Sequence, residues 1–125
     1  MATFMTSYNI NKMSEVTGLS PHTLRYYEKE FMVLDVSRDA SGHRYYSENH
    51  VKAIHFISAL RRTGMPIREI KRYIELYKSG SSTVEQRLDL LKQHEQRVEE
   101  DLKKTQQSLL LIQEKIQHYH ELYDL

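Results

Sequence analysis

From Val84 to Tyr123 an apolar residue returns in alternating steps of four and three, and no other feature of the chain constrains its fold as strongly. The positions are Val84, Leu88, Leu91, Glu95, Val98, Leu102, Thr105, Leu109, Ile112, Ile116, Tyr119 and Tyr123, and ten of the twelve are apolar. A mean step of about 3.5 residues falls just short of the 3.6 of a straight helix, so the stripe stays continuous only where the helix winds around another. At a rise of 1.5 Å per residue such a helix is roughly 60 Å long. The residues that precede it are too few to cover a stripe of that length, and a second copy of the chain is the simplest source of the missing helix. The spacing predicts a homodimer joined by a coiled coil, with Leu88, Leu91, Val98, Leu102, Leu109, Ile112, Ile116 and Tyr119 in the dimer interface. Glu95 and Thr105 interrupt the stripe, either as tolerated polar residues or as devices that fix register. The charges flanking the stripe are too mixed to set the helix orientation.

Ser79-Gly80-Ser81-Ser82 is the clearest break upstream of the stripe. It divides the chain into a head (1–78), a linker (79–83) and a helical stalk (84–125). The formal net charge of +1 hides an asymmetry, with 12 Lys+Arg against 8 Asp+Glu in the head and 6 against 9 in the stalk. A head at +4 on a stalk at −3 fits a polyanion partner for the head, although an excess of that size also arises by chance.

Within the head, Ile10, Met13 and Val16 lie at helical spacing in a short segment ended by Gly18. Ser20 is a good N-cap and Pro21 suits a first helical position, so a second helix is expected from Pro21 to about Glu30. Two short helices around a glycine-containing turn form the helix-turn-helix pattern. Phe31-Met32-Val33-Leu34, the turn-rich Ser37–Gly42 and the strand-favouring His43–Tyr46 then read as a β-hairpin, a wing beside the helix pair. Ser47 and Asn49 are placed to cap a third helix running to about Thr63. Gly64 stops it, and Pro66 starts a fourth helix carrying Ile67, Ile70, Ile74 and Tyr77. The fold class expected is mainly α: a winged helix-turn-helix head with a small β wing, followed by a long C-terminal coiled-coil helix.

Several function classes drop out. With no cysteine, disulfides, thiolate metal sites and thiol redox sensing are excluded. No run approaches the roughly 20 apolar residues of a membrane helix, and the N-terminus lacks a signal-peptide pattern, so no membrane partner and a cytoplasmic location are expected. The seven histidines are poorly spaced for chelation: His118 and His120 fall on opposite sides of a helix, and His50 and His55 are also out of register. No metal and no cofactor are expected. No phosphate loop, metal constellation or nucleophile–base pair points to an enzyme.

Four segments together resemble the MerR family of bacterial transcription regulators: Ile10–Ser20 (INKMSEVTGLS), Thr23–Glu28 (TLRYYE), Gly42–Tyr46 (GHRYY) and Leu60–Ile70 (LRRTGMPIREI). Their order agrees with the family, and the resemblance covers nearly the whole head. It departs after the second helix, where the family usually carries Gly-Leu-Leu and then proline; here Phe31, Met32 and Val33 stand, with no proline. The stalk around Ser82–Leu91 is similar to a subgroup linked to aldehyde or nitrosative stress. Those relatives sense through a cysteine in the third helix, where this chain has Ser58 and Ala59.

The resemblance implies a dimer that binds a pseudo-palindromic promoter operator in double-stranded DNA, then bends and untwists it to realign promoter elements. RNA polymerase is then a partner reached indirectly, through the promoter. Candidate DNA-binding residues follow from helix geometry and from the family. His22, Thr23 and Arg25 begin the second helix, the stretch that reaches base edges in the major groove. Arg25 is suited to guanine or to a phosphate. Tyr26 and Tyr27 diverge by about 100°, so one packs inward while the other offers its hydroxyl outward; the family implies DNA contact for the pair, with Tyr26 preferred and a core role open for Tyr27. Leu24 reads as core. Glu28, repelled by phosphate, is expected to pair with a cation of the head. Arg44 of the wing is expected on the sugar-phosphate backbone, and of Tyr45 and Tyr46, which alternate across a strand, Tyr45 is the one expected to face DNA. Arg61 and Arg62 suit the third helix dipole, and the family places them near phosphates.

Overall fold

The computed structural model describes Tyr8–Phe31 and Ser37–Leu125. In the head, β1 (Tyr8–Asn9) runs directly into α1 (Ile10–Thr17), and α2 (Pro21–Phe31) follows. The wing strands are β2 (Ser37–Arg38) and β3 (Arg44–Tyr46), and α3 (Glu48–Arg62) and α4 (Ile67–Lys78) complete the helical core. A 3-10 turn (Ser81–Thr83) leads into α5 (Val84–Tyr123). The chain divides into two compact units at Val84/Glu85.

Helices α1, α2 and α3 start on side chains that satisfy their end groups. Asn9 accepts the Lys12 N–H, and Gly18 ends α1 at φ 73°, a left-handed position that costs glycine nothing. Ser20 Oγ accepts the Thr23 N–H at 3.1 Å and caps α2. A capping box opens α3: Ser47 accepts from the His50 N–H while the His50 ring accepts from the Ser47 N–H. Pro66 sits at the N-cap of α4, and the helix proper begins one residue later than the sequence suggests.

The sheet has the order β1-β3-β2, all antiparallel, with Tyr8 opposite Tyr46 and Arg38 opposite Arg44. The hairpin was expected; β1 was not. Asp39 builds the turn between β2 and β3, its carboxylate accepting the Ser41 and His43 N–H groups at 2.9 Å each. Met32 and Val33, on which the departure from the family pattern rests, lie outside the described residues.

The head core joins all its helices. Met13 from α1, Leu24 from α2, Tyr46 from the wing, Ile54 from α3, Met65 from the α3–α4 corner and Ile70 from α4 have no exposed surface. Gly64 lets the chain turn at φ 92° so that the Met65 N–H reaches the Leu60 carbonyl. Lys71 of α4 reaches Glu30 of α2 at 3.0 Å, a pair across the same core.

Residues 79–83, expected as a linker, include the 3-10 turn Ser81–Thr83. Gly80 takes φ 92°, a conformation open to glycine. The buried Thr83 hydroxyl donates to the Leu76 and Gly80 carbonyls, tying the 3-10 turn to the end of α4.

The second unit is the rest of α5, an uninterrupted helix reaching Tyr123. Leu88, Leu102, Leu109, Ile112, Ile116 and Tyr119 are 48–56% exposed in the single chain, and Leu91 and Val98 are half-buried. Leu110 and Leu111 fall outside the stripe and are also exposed; the repeat gives them no role. No helix among the described residues is long and apolar enough to cross a membrane.

Candidate nucleic-acid interface

Two arginines of the head, Arg25 and Arg44, meet where α2, the wing and the start of α1 come together. Arg25 is exposed on α2, four residues after Pro21, because the helix turns Leu24 and Tyr27 into the core on the opposite side. Arg44 opens β3, where the ladder to Arg38 fixes its backbone. Arg25, His43 and Arg44 line one crevice of about 430 Å³, together with Asn9, Ile10 and Asn11 from the start of α1 and with Asp39 and Gly42 from the wing turn.

The electrostatics of this corner centre on Tyr46. Burial, and next the charge of Glu28, push its phenol above its usual value; Arg44, Arg25 and Arg38 pull the other way. Its hydroxyl is buried with no hydrogen-bond partner among the described residues. Glu28, one turn beyond Arg25 on α2, accepts the Nε–H of Arg44 at 2.7 Å. The side chains are 27% exposed for Arg44 and 21% for Glu28, so the pair is screened less than a surface pair. The expected cation partner of Glu28 is thus the same wing arginine that the sequence reserves for phosphate.

The remaining candidates separate by exposure. His22 is exposed and Thr23 half-exposed in the first turn of α2, where Thr23 Oγ1 lies 3.0 Å from Ser20 Oγ. Tyr26 is 37% exposed whereas Tyr27 is 8% exposed, with the Tyr27 and Phe31 rings 5.4 Å apart. Tyr27 is therefore a core aromatic: α2 turns it toward Phe31, and of the adjacent pair only Tyr26 presents its ring outward. On the wing Tyr45 is 40% exposed and Tyr46 fully buried, the alternation expected of a strand. Arg61 and Arg62 are exposed in the last turn of α3 and do not line the crevice.

Arg38, His43 and Asn9 belong to this corner and were not singled out from the sequence. Arg38 donates from its guanidinium to the Gly42 carbonyl at 2.9 Å, bracing the wing turn. A cation inside a predicted wing was a usable signal for it. The place of Asn9 depends on β1, which two residues of sequence do not announce. Among the described residues no group of three or more His, Asp or Glu side chains is placed to hold a metal.

Comparison with known proteins bears on the same elements. A family model described as MerR HTH family regulatory protein matches residues 8–76, and a second, described as MerR, DNA binding, matches residues 51–118. An uncharacterized HTH-type transcriptional regulator of Haemophilus influenzae is 30% identical over 92% of this chain and 85% of its own length. The HTH-type transcriptional regulator AdhR of Bacillus subtilis is 38% identical over 72% of this chain and 64% of its own. Among solved structures, HiNmlR, a MerR family regulator lacking the sensor domain and bound to promoter DNA, superposes with a TM-score of 0.86 at 30% identity. The superposition covers 96% of this chain and 95% of that one. A MerR family regulator from Bacillus thuringiensis superposes with a TM-score of 0.81 at 34% identity, covering 91% and 100% of the two chains.

Proposed function

The chain belongs to the MerR family of transcription regulators, and from that premise we propose that it works as a homodimer that binds a pseudo-palindromic promoter operator and distorts it. The observation that carries the DNA reading is the meeting of Arg25 from α2 with Arg44 from the wing in one crevice. A helix entering the major groove and a hairpin beside it reach adjacent stretches of backbone, so cations from both elements in one place suit a phosphate between them. Outward-facing Tyr26 and Tyr45 supply hydroxyls at the same two elements, and His22 and Thr23 stand at the end of α2 that approaches base edges. Arg61 and Arg62 extend the contacts along the backbone. The promoter DNA held by the HiNmlR relative supports this reading.

The dimer rests on the uncovered stripe of α5. A row of apolar residues about half exposed along a 40-residue helix is unstable in water until another helix covers it. Two heads joined by a stiff stalk meet two half-sites at one set separation. An operator whose half-sites differ from that separation is bent or twisted to fit, and its deformability becomes part of the recognition. RNA polymerase then responds to the altered promoter rather than to a surface of the protein.

The test is DNase I footprinting on a duplex selected from genomic fragments by the purified chain. Two protected half-sites flanking a hyper-reactive centre are expected. Cleavage that stays flat across the centre would refute distortion, and no protection at low salt would refute the DNA reading altogether.

A further inference from the structure

We propose that Glu28 is a positioning residue for DNA binding: its bond to the Nε–H of Arg44 turns the rest of that guanidinium toward the crevice shared with Arg25, where the two arginines hold one backbone phosphate. The inference rests on the DNA-binding reading above and says how its phosphate contact is built.

A carboxylate beside a surface meant for a polyanion is at first sight a fault. It repels phosphate and neutralises part of a nearby cation. The geometry supplies a reason for it. An arginine has five N–H donors in a rigid planar fork, one on Nε and four on the two Nη atoms. Glu28 takes the Nε–H at 2.7 Å, and among the described residues this is the one hydrogen bond that the Arg44 side chain makes. The Nη donors remain for a ligand, and Arg44 lines the same crevice as Arg25. Both members of the pair are largely buried, so the bond holds the fork on a rigid base. A free arginine loses its rotamer freedom when it binds; here that loss has already occurred during folding. Tyr46 is fully buried and its phenol feels the charges of Glu28, Arg44 and Arg25.

Two expectations of opposite sign follow. If Glu28 acts only through its charge, its removal strengthens binding to DNA. If it positions Arg44, its removal weakens binding. The experiment measures the affinity of the full chain and its variants for one selected duplex by fluorescence anisotropy, at a temperature where circular dichroism shows each variant folded. E28A is expected to lose about threefold per head, hence about tenfold for a dimer on its operator. E28Q keeps an oxygen that accepts the Nε–H and is expected to bind close to wild type. A role as an ion pair for stability alone would place E28Q with E28A. Wild-type affinity or better in E28A overturns the proposal. Should E28A not fold, R44K decides: the donors of lysine sit on one nitrogen at the end of a flexible stem, with no planar fork that Glu28 could hold turned toward a phosphate, so R44K is expected to bind as weakly as R44A, and wild-type binding by R44K overturns the proposal. A wild-type chain that binds no duplex sinks the underlying DNA reading instead, an outcome separate from any pattern among the variants.

Discussion

Replacement of Leu102 by lysine tests the stalk most directly. Leu102 is 56% exposed in the single chain, so the partner helix has about half of a leucine left to cover. Full burial of a leucine is worth about 1.5–3 kcal/mol, which leaves roughly 1–1.5 kcal/mol per copy to be lost. The charge adds a second penalty. Leu102 lies near the middle of the stripe from Val84 to Tyr123, so with full overlap it approaches its own copy within about one turn whether the helices run parallel or antiparallel. Two lysines roughly 6 Å apart at an interface repel by about 1–3 kcal/mol. Counting both copies, L102K weakens the dimer by about 3–6 kcal/mol, or roughly 10²- to 10⁴-fold in dissociation constant. Leu111 supplies the control: it is 67% exposed but lies off the stripe, so L111K makes the same chemical change with no partner to meet. Sedimentation equilibrium is expected to show L102K monomeric where wild type and L111K are dimeric, and tight operator binding is lost with the dimer. Wild-type association by L102K, or equal loss in L111K, would refute the assignment of the stripe.

Arg44→Ala is expected to weaken binding to every duplex alike and to lower the slope of log affinity against log salt by about one per protomer, since one phosphate contact is lost; a changed base preference at unchanged slope argues against a phosphate role. Tyr46→Phe removes a buried hydroxyl that has no partner among the described residues, so thermal unfolding should show the head unchanged or about 1 kcal/mol more stable. Because the folded phenol titrates above its ordinary 10.0, the native state favours the protonated ring; its contribution is complete below pH 10 and is lost as pH rises past that value, by at most about 1.4 kcal/mol per pH unit. Urea unfolding at rising alkaline pH should show that decline in wild type and a smaller one in the Tyr46→Phe chain. Gly42→Ala should cost about 1 kcal/mol of head stability through φ 82° alone, since nothing lies within 4 Å of the added methyl; a larger loss in urea unfolding would mean that the turn is held by more than backbone conformation.

The features legible in the sequence were those written locally. Ser20, Gly18 and Ser47 mark helix ends because the end groups of a helix need a nearby partner, and the structure uses all three as caps. The stripe in α5 was legible because it repeats over many turns. β1 was not, because two residues carry no periodicity and Tyr8 becomes a strand only by pairing with Tyr46, far along the chain. Residues 79–83 read as a linker from their composition, and the hydrogen bonds of the Thr83 hydroxyl to the Leu76 and Gly80 carbonyls were not legible there. Adjacent Tyr26 and Tyr27 could be told apart only once Phe31 and the core had fixed the rotation of α2. The sequence offered Glu28 a cation; that the cation is Arg44 depends on how the wing folds back on α2, a long-range fact.

The uncovered stripe of α5 also limits how this chain can change its length. Each residue inserted into a helix rotates everything beyond it by about 100°, so one extra residue would swing half the stripe more than a quarter turn off its line. Seven extra residues restore its line and lengthen the rod by about 10.5 Å, close to three base-pair steps of duplex. A stalk that keeps its stripe on one face is therefore expected to grow and shrink in whole repeats, as a ruler marked in sevens.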